Sequence, residues 1–395
     1  MGLFCALLLG RQGIPVRLFD LHQELQDDPR AATTHPATLE VLDVDGLVED
    51  IAREGLVAPI FQFWDRPTNR LIAEFDHALL TGETRFPTVI QCEQYKTARL
   101  ILQRLQKLPS VEILFGHEVV GVEQSASDVT VTVKERDTLE RHSGAYLIGA
   151  DGARSIVRKQ CNIPFDGFTW EERFIVLTTP FDFEAHRGYC YRSYFADPSE
   201  WCNCFKVSAD GPPGLWRTVF PTKPELSEAE LMVDDAVQAR LQKFFPSDKL
   251  YEIVHRNLYT THQRVASMFR TGRVTLAGDA AHVNNPIGGM GLNGGLQDAA
   301  NLCGKLAEIL LNGSSAELLD LYDLQRRTFS IEFVQEQSIA NKRRLEAKDE
   351  ETRKQNFDQL SATAADPLKA KGFLLRSSML AAQRRVNAMT LADRK

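Results

Sequence analysis

The sequence predicts an α/β protein in three parts: a unit of short buried strands and helices, a separate sheet-based lobe, and a helical, charged tail. Three observations predict it. Val274–Leu276 is an apolar strand that runs through a glycine-rich turn into a helix, Gly289–Leu311, with apolar residues at 292, 296, 299, 303, 306 and 310. Ala145–Ile148 is a second buried strand, ending in Gly149-Ala150-Asp151-Gly152. Between them the character changes. From about 171 to 258 aromatics, prolines and short strand-like runs dominate: Arg173–Leu177, Tyr189–Tyr194, Cys202–Val207 and Trp216–Phe220.

The remaining elements follow in order. Leu3–Leu9 reads as a buried helix closed by Gly13, and Val16–Phe19 as a short strand ending at Asp20. Thr38–Leu47 reads as an amphipathic helix with Leu39, Leu42 and Leu47 on one face, and Tyr95–Leu108 as another helix. Val111–Phe115, Val119–Val122 and Val129–Val133 read as strands; the last alternates Val and Thr with the period of two of a half-buried strand. Inside the lobe, Ser227 followed by Glu230 has the spacing of a capping box and starts a helix to Phe244. The tail is helical from 316 onward. Its stretch Pro367–Arg385 mixes apolar residues with Lys369, Lys371, Arg376, Arg384 and Arg385; it reads as a solvated helix packed on its own domain, the alternative being contact with a membrane surface or a partner chain.

Composition narrows the function. The chain has 395 residues, 43% hydrophobic and 25% charged, with a net charge of -7 and a mean hydropathy of -0.25. A soluble protein of two or three units is expected at that length. No basic excess exists to hold a phosphate backbone, so nucleic acid is not an expected partner. No apolar run is long enough to span a bilayer, and Gly2–Leu9 lacks a cationic flank and a cleavage site. The seven cysteines show no CxxC pair. They read as small buried hydrophobes in a reducing cytoplasm, and no metal site is expected.

Three segments carry chemistry. Asp20, at a strand end, suits the hydroxyls of a ribose. It lies eighteen residues after Gly2, so Gly2 takes the place of the last glycine of a GxGxxG turn. The two earlier glycines and their preceding strand are absent, so this unit is expected to be N-terminally incomplete. In Gly149–Arg158 a strand delivers Asp151 into a glycine turn, followed by Arg154 and Arg158. In Gly278–Asn293 (GDAAHVNNPIGGMGLN) Asp279 is placed for the polyol of a nucleotide, and the glycine-rich helix start offers free N–H groups to an anion. The plain alternatives are a solvated turn acid, an Asp-Gly turn and a strand–helix connection. The length and order of the third segment favour ligand binding.

The ADGAR segment followed by GDAAH…P.GG.G.N, with a β-rich stretch between them, resembles the group A FAD-dependent aromatic monooxygenases: the para-hydroxybenzoate, phenol and hydroxyphenylpropionate hydroxylases. The resemblance runs from residue 2 to about 340. It implies an α/β fold with an FAD-binding Rossmann-like domain of the glutathione-reductase type, a β-sheet substrate lobe and a helical C-terminal tail. The FAD-binding domain is expected at 1–75, 92–170 and 259–330, the lobe at 76–91 and 171–258, and the tail at 331–395. The resemblance also implies FAD as cofactor, NADH or NADPH as co-substrate, and transfer of one oxygen atom from O2 to a phenolic ring through a flavin C4a-hydroperoxide.

Residue by residue, it assigns Gly2, Asp20, Arg30, Gln91, Asp151, Gly278, Asp279, Gly289, Gly291, Leu292 and Asn293 to cofactor binding. Pro286 falls in the loop beside the flavin ring. His35 is the candidate catalytic histidine, whereas His282 is expected to be structural. Tyr189, Tyr191, Tyr194, Phe205 and Trp216 are candidates for an apolar substrate pocket, half of them turned away by strand alternation. A homodimer is a candidate assembly. Two other readings stand beside the hydroxylase: an FAD oxygenase of another type (epoxidase, Baeyer–Villiger enzyme or halogenase), and a truncated non-catalytic relative acting as a binding module.

Overall fold

The computed structural model describes residues 1–28 and 31–394. Its opening helix, Gly2–Gly10, buries Phe4, Cys5, Ala6, Leu7 and Leu9, as a helix apolar all round must. The chain then turns into strand Val16–Asp20, which pairs in parallel with Val111–Phe115. Helix and sheet touch closely at Gly10, where a Cβ would fall 2.3 Å from the Val111 side chain. A second parallel pair joins Leu147–Gly149 to Val274–Leu276. The long helix Met290–Asn312 packs against the opening helix and against Leu318–Phe329, and their apolar faces share one core. The carboxyl ends of these parallel strands lead into the loops that hold Asp20, Asp151 and Asp279, the place where open α/β sheets take ligands.

The second sheet has eight strands. Their order is His282–Val283, His255–Ala266, Phe165–Thr179, Leu215–Pro221, Cys202–Val207, Arg192–Ala196, Ile60–Asp65 and Arg70–Asp76. Only the junction between Arg192–Ala196 and Ile60–Asp65 is parallel, with Ser193 opposite Gln62. Strand pairing therefore draws 60–76 into this sheet. The expected insert at 76–91 holds instead a short turn, His77–Leu80, and strand Val89–Gln91, which pairs with Thr33–Thr34 and Leu56–Ala58. Alternation gives the sheet two apolar faces. Ile175, Leu177, Phe195, Cys202, Trp216 and Phe220 pack beneath helix Asp234–Phe244. Phe61, Phe63, Phe174, Tyr194 and Val219 face Ile287, Met290 and the C-terminal helices.

Three expected helices are divided. Thr38–Leu47 becomes Pro36–Leu42 and Leu47–Glu54, because Asp45 and Gly46 take left-handed backbone between them. The Ser227 capping box forms, but extended Val233 separates Glu228–Met232 from Asp234–Phe244. Pro367–Arg385 becomes Pro367–Ser377 and Leu380–Asn387, broken at left-handed Met379. Among the described residues no helix is long and apolar enough to cross a membrane.

Candidate active site

The glycine-rich segment begins where strand Val274–Leu276 ends. Gly278 has φ +63, and Asp279 follows as the exposed residue of a 3-10 turn whose Gly278 and Ala280 are buried. Exposed Pro286 opens a tight turn by accepting the Gly289 N–H at 2.9 Å. Gly288 and Gly289, at φ +101 and +68, complete it. A Cβ on Gly289 would lie 2.9 Å from that of Thr33. The helix Met290–Asn312 then starts with no side-chain cap. Its first-turn N–H groups and the positive end of its dipole, at Met290, Gly291 and Leu292, are left for a ligand.

Asn293 fastens this turn to the neighbouring strand. Its Oδ1 accepts the His35 N–H at 2.8 Å, and its Nδ2 donates to Thr33 O at 2.8 Å and Gly289 O at 2.6 Å. The Asn293 amide is thus engaged by the protein, and what it offers a ligand is a fixed backbone. His35 makes a second tie: its Nε2–H donates to Gly288 O at 2.8 Å. With that tautomer set, Nδ1 is an acceptor, and it is buried without a partner. Burial first, then the charge of Arg192, holds the His35 pKa well below the ordinary histidine value, so the ring is neutral. Gln91, fully buried, accepts from Thr33 Oγ1 at 2.9 Å while its Nε2 has no partner. Buried polar atoms without partners are rare. Gln91 is held to the short strand by Thr33, and His35 to the glycine turn by Gly288.

The other expected residues stand nearby but apart. Asp151 leaves the strand next to that of Asp279; its Oδ2 accepts the N–H groups of Ile156 and Val157 at 2.7 and 3.0 Å and so caps helix Ile156–Gln160. Ala277 N–H to Gly149 O (3.0 Å) and Arg158 Nη1 to Ala280 O (2.8 Å) lock the two turns together. Asp20 ends a strand of the other parallel pair, with Oδ1 accepting from His22 N–H at 2.9 Å. A Cβ at Gly2 would rest 3.4 Å from Leu18, so the opening helix lies close on that strand. Arg30 lies outside the described residues.

Two features escaped the reading of the sequence. The first lies beneath the glycine turn. Asp298 is fully buried; its Oδ2 accepts from His282 Nε2 (2.7 Å) and Gly278 N–H (3.0 Å), and its Oδ1 from Arg326 Nε (2.7 Å). Burial pushes the Asp298 pKa up, but His282 and Arg326 outweigh it and hold it below the usual carboxylate value. The network positions Gly278 and gives His282 the structural part expected of it. The second is on the sheet. Tyr194 and Phe205 belong to the face toward the glycine turn, whereas Tyr189, Tyr191 and Trp216 lie on the other. Arg192 shares the first face with Tyr194, two residues along the strand.

A model of the family described as "FAD binding domain" matches residues 1–337. The chain belongs to the FAD binding domain family. This flavoprotein is 36% identical over 348 residues to the para-nitrophenol 4-monooxygenase of Pseudomonas sp. (strain WBC-3), covering 86% of this chain and 84% of that one. It is 33% identical over 350 residues to the 6-hydroxy-3-succinoylpyridine 3-monooxygenase of Pseudomonas putida (strain DSM 28022 / S16), covering 87% and 86%. The crystal structure of p-nitrophenol 4-monooxygenase from Pseudomonas putida DLL-E4 superposes with a TM-score of 0.90 at 32% identity, covering 96% of this chain and 95% of that one. The flavoprotein is an FAD-dependent monooxygenase with the fold of that group. Its residues fit FAD: the uncapped helix start suits an anionic group, and Gln91 Nε2 and His35 Nδ1 are buried polar atoms without a partner.

Proposed function

We propose that this flavoprotein hydroxylates a phenolic small molecule, using O2 and consuming NADH or NADPH. One observation carries the reading: Ile287 and Met290, on either side of the uncapped glycine turn, pack in one core with the aromatic sheet face of Phe61, Phe63 and Tyr194. A cofactor platform and an apolar, positively charged wall then share one space. The names of the relatives support the choice, since para-nitrophenol and a hydroxypyridine are both hydroxylated rings.

In this proposal FAD is held by Gly2, Asp20, Arg30, Gln91, Asp151, Gly278, Asp279, Gly289, Gly291, Leu292 and Asn293, with Pro286 shaping the turn beside the reacting ring. Bound there, FAD supplies the electron-carrying and oxygen-activating chemistry. The chain supplies position and dryness. Asn293 and His35 fix the turn at both ends. His35, kept neutral by burial, is an anchor and a hydrogen-bond acceptor and not a proton store. Phe61, Phe63, Phe75 and Tyr194 form the apolar wall that excludes water. The strands of the eight-stranded sheet are the proposed substrate lobe, and 331–394 is the tail that closes it.

The test is direct. The purified protein should be yellow, phenols should stimulate its NADH or NADPH oxidation, and the product ring should gain one atom from isotopically labelled O2. Phenols that neither stimulate oxidation nor become labelled would overturn the reading.

A further inference from the structure

Helices Glu336–Glu346 and Glu350–Ala365 border a cavity of about 500 Å³, lined in part by Glu336, Ile339, Arg343, Arg344, Thr352 and Asn356. The first helix buries Ser338, Lys342 and Leu345 on one side and presents this cavity on the other. Arg344 is half-buried there, and its one side-chain hydrogen bond among the described residues runs from Nη1 to Asn341 Oδ1 at 3.3 Å. Burial alone lowers the Arg344 pKa from the ordinary arginine value. Arg343 and Glu336 are exposed, and among the described residues neither has an ion pair. The Thr352 hydroxyl donates to Asp349 Oδ2 at 2.7 Å within a helix cap. The Asn356 amide has no partner among the described residues.

A guanidinium drawn partly out of water without an anion is costly, and a ligand that brings the anion removes the cost. Two arginines against one glutamate leave one net positive charge on the lining, which favours a monoanion over a phosphate dianion. The planar fork of arginine matches a carboxylate, Asn356 offers a neutral donor, and Ile339 offers an apolar contact for a carbon ring. The volume is that of a small-molecule site.

Asn341 joins this cavity to the glycine turn. Its Oδ1 accepts from Arg344 and, at 2.9 Å, from Gln337 Nε2. Its Nδ2 stands against Gly288, 2.9 Å from where a Cβ would lie. An anion that draws the Arg344 fork away removes one of the two bonds that orient this amide. Occupancy of the cavity is then felt at Gly288.

We propose that the cavity is a second small-molecule site, for an aromatic monocarboxylate, with Arg344 as its inner cation, Arg343 as its outer one and Asn341 as its link to the glycine turn. This goes beyond the phenol reading and does not rest on it.

The test is calorimetric titration of the FAD-loaded protein without NADH or NADPH, with flavin absorption followed in parallel. The probes are benzoate, neutral benzamide and inorganic phosphate; the proteins are wild type, R344Q, R343Q and N341A. Wild type should bind benzoate roughly tenfold more tightly than benzamide or phosphate, the scale of one charged hydrogen bond, and benzoate should shift the flavin band. R344Q should weaken benzoate roughly tenfold, and R343Q, at the exposed rim, roughly threefold. N341A should keep the affinity and lose the shift. Saturating 4-nitrophenol should leave the benzoate affinity unchanged, because the proposed ring site lies elsewhere. FAD content, read from absorbance, certifies folding, and R343Q decides if R344Q does not fold. A wild type that takes no benzoate overturns the site, as does a benzoate affinity unchanged in the folded arginine variants. Tighter binding of phosphate overturns the carboxylate assignment, and displacement of benzoate by 4-nitrophenol overturns the second site. An undiminished flavin shift in N341A overturns the link to the turn.

Discussion

His77 and His35 couple the stability of the protein to pH. Burial is the main cause at His77; with Arg192 it lowers the pKa from 6.5 to about 4. His35 is moved in the same direction by the same two causes. The unfolded chain takes up a proton at each site as pH falls through 6.5, while the native state refuses it. Stability is therefore full above about pH 6.5 and is lost as pH falls toward 4, by about 1.4 kcal/mol per pH unit for each histidine, or about 3 kcal/mol for His77. Asp298, held below its ordinary value, acts in the same sense but only in stronger acid, below about 4. The test is the urea midpoint between pH 7 and 4.5. His77→Asn, which keeps a donor for Pro59 O and cannot titrate, should flatten the slope. An undiminished slope in that variant would falsify the assignment.

At the scale of elements, the glycine turn depends on close approach. Gly289 has left-handed backbone, and a Cβ there would meet that of Thr33 at 2.9 Å. Gly289→Ala adds about 1 kcal/mol of backbone strain and pushes the turn away from its strand. FAD affinity should fall about tenfold, read by fluorescence titration of the apoprotein; an unchanged affinity would show that the turn does not touch the cofactor. This turn was legible in the sequence because strand, glycines and helix are contiguous, so local pattern and function coincide. Gln91 and His35 were legible only through family resemblance, since nothing around either residue predicts burial. Ile60–Asp65 was missed as part of the large sheet because its parallel partner, Arg192–Ala196, lies far along the chain. Arg192 escaped for a related reason. A lone arginine in an alternating strand reads as a solvated residue until the sheet's second face is known to be covered.

The whole molecule decides whether that face is covered, and the C-terminal helices do the covering. Phe373 stacks on Phe75 at 4.4 Å and reaches Phe61 at 6.2 Å, so the tail supplies part of the aromatic wall. Glu83 bridges Lys371 and Arg384 at 2.8 and 2.9 Å, an exposed pair of contacts that salt will screen. The deeper ties are Arg326 Nη1 to Gln383 Oε1 at 2.9 Å and the backbone bond from Ala37 N–H to Ser378 O. Through Arg326 the tail meets Asp298, and through Asp298 it meets Gly278. One helical segment therefore borders the proposed substrate space and steadies the cofactor segment. These two roles separate by mutation. Phe373→Ala removes ring contacts on the substrate side alone. It should cost about 2 kcal/mol, less than full burial would give because the ring is half-buried. The KM for a phenol should rise about fivefold as the wall loosens, with FAD content unchanged. Asp298→Asn should do the reverse: by leaving Arg326 buried without its charge partner it should lower thermal stability and FAD retention first. If Phe373→Ala loses FAD in step with its rise in KM, the tail acts on the molecule as one unit and the division between wall and platform fails.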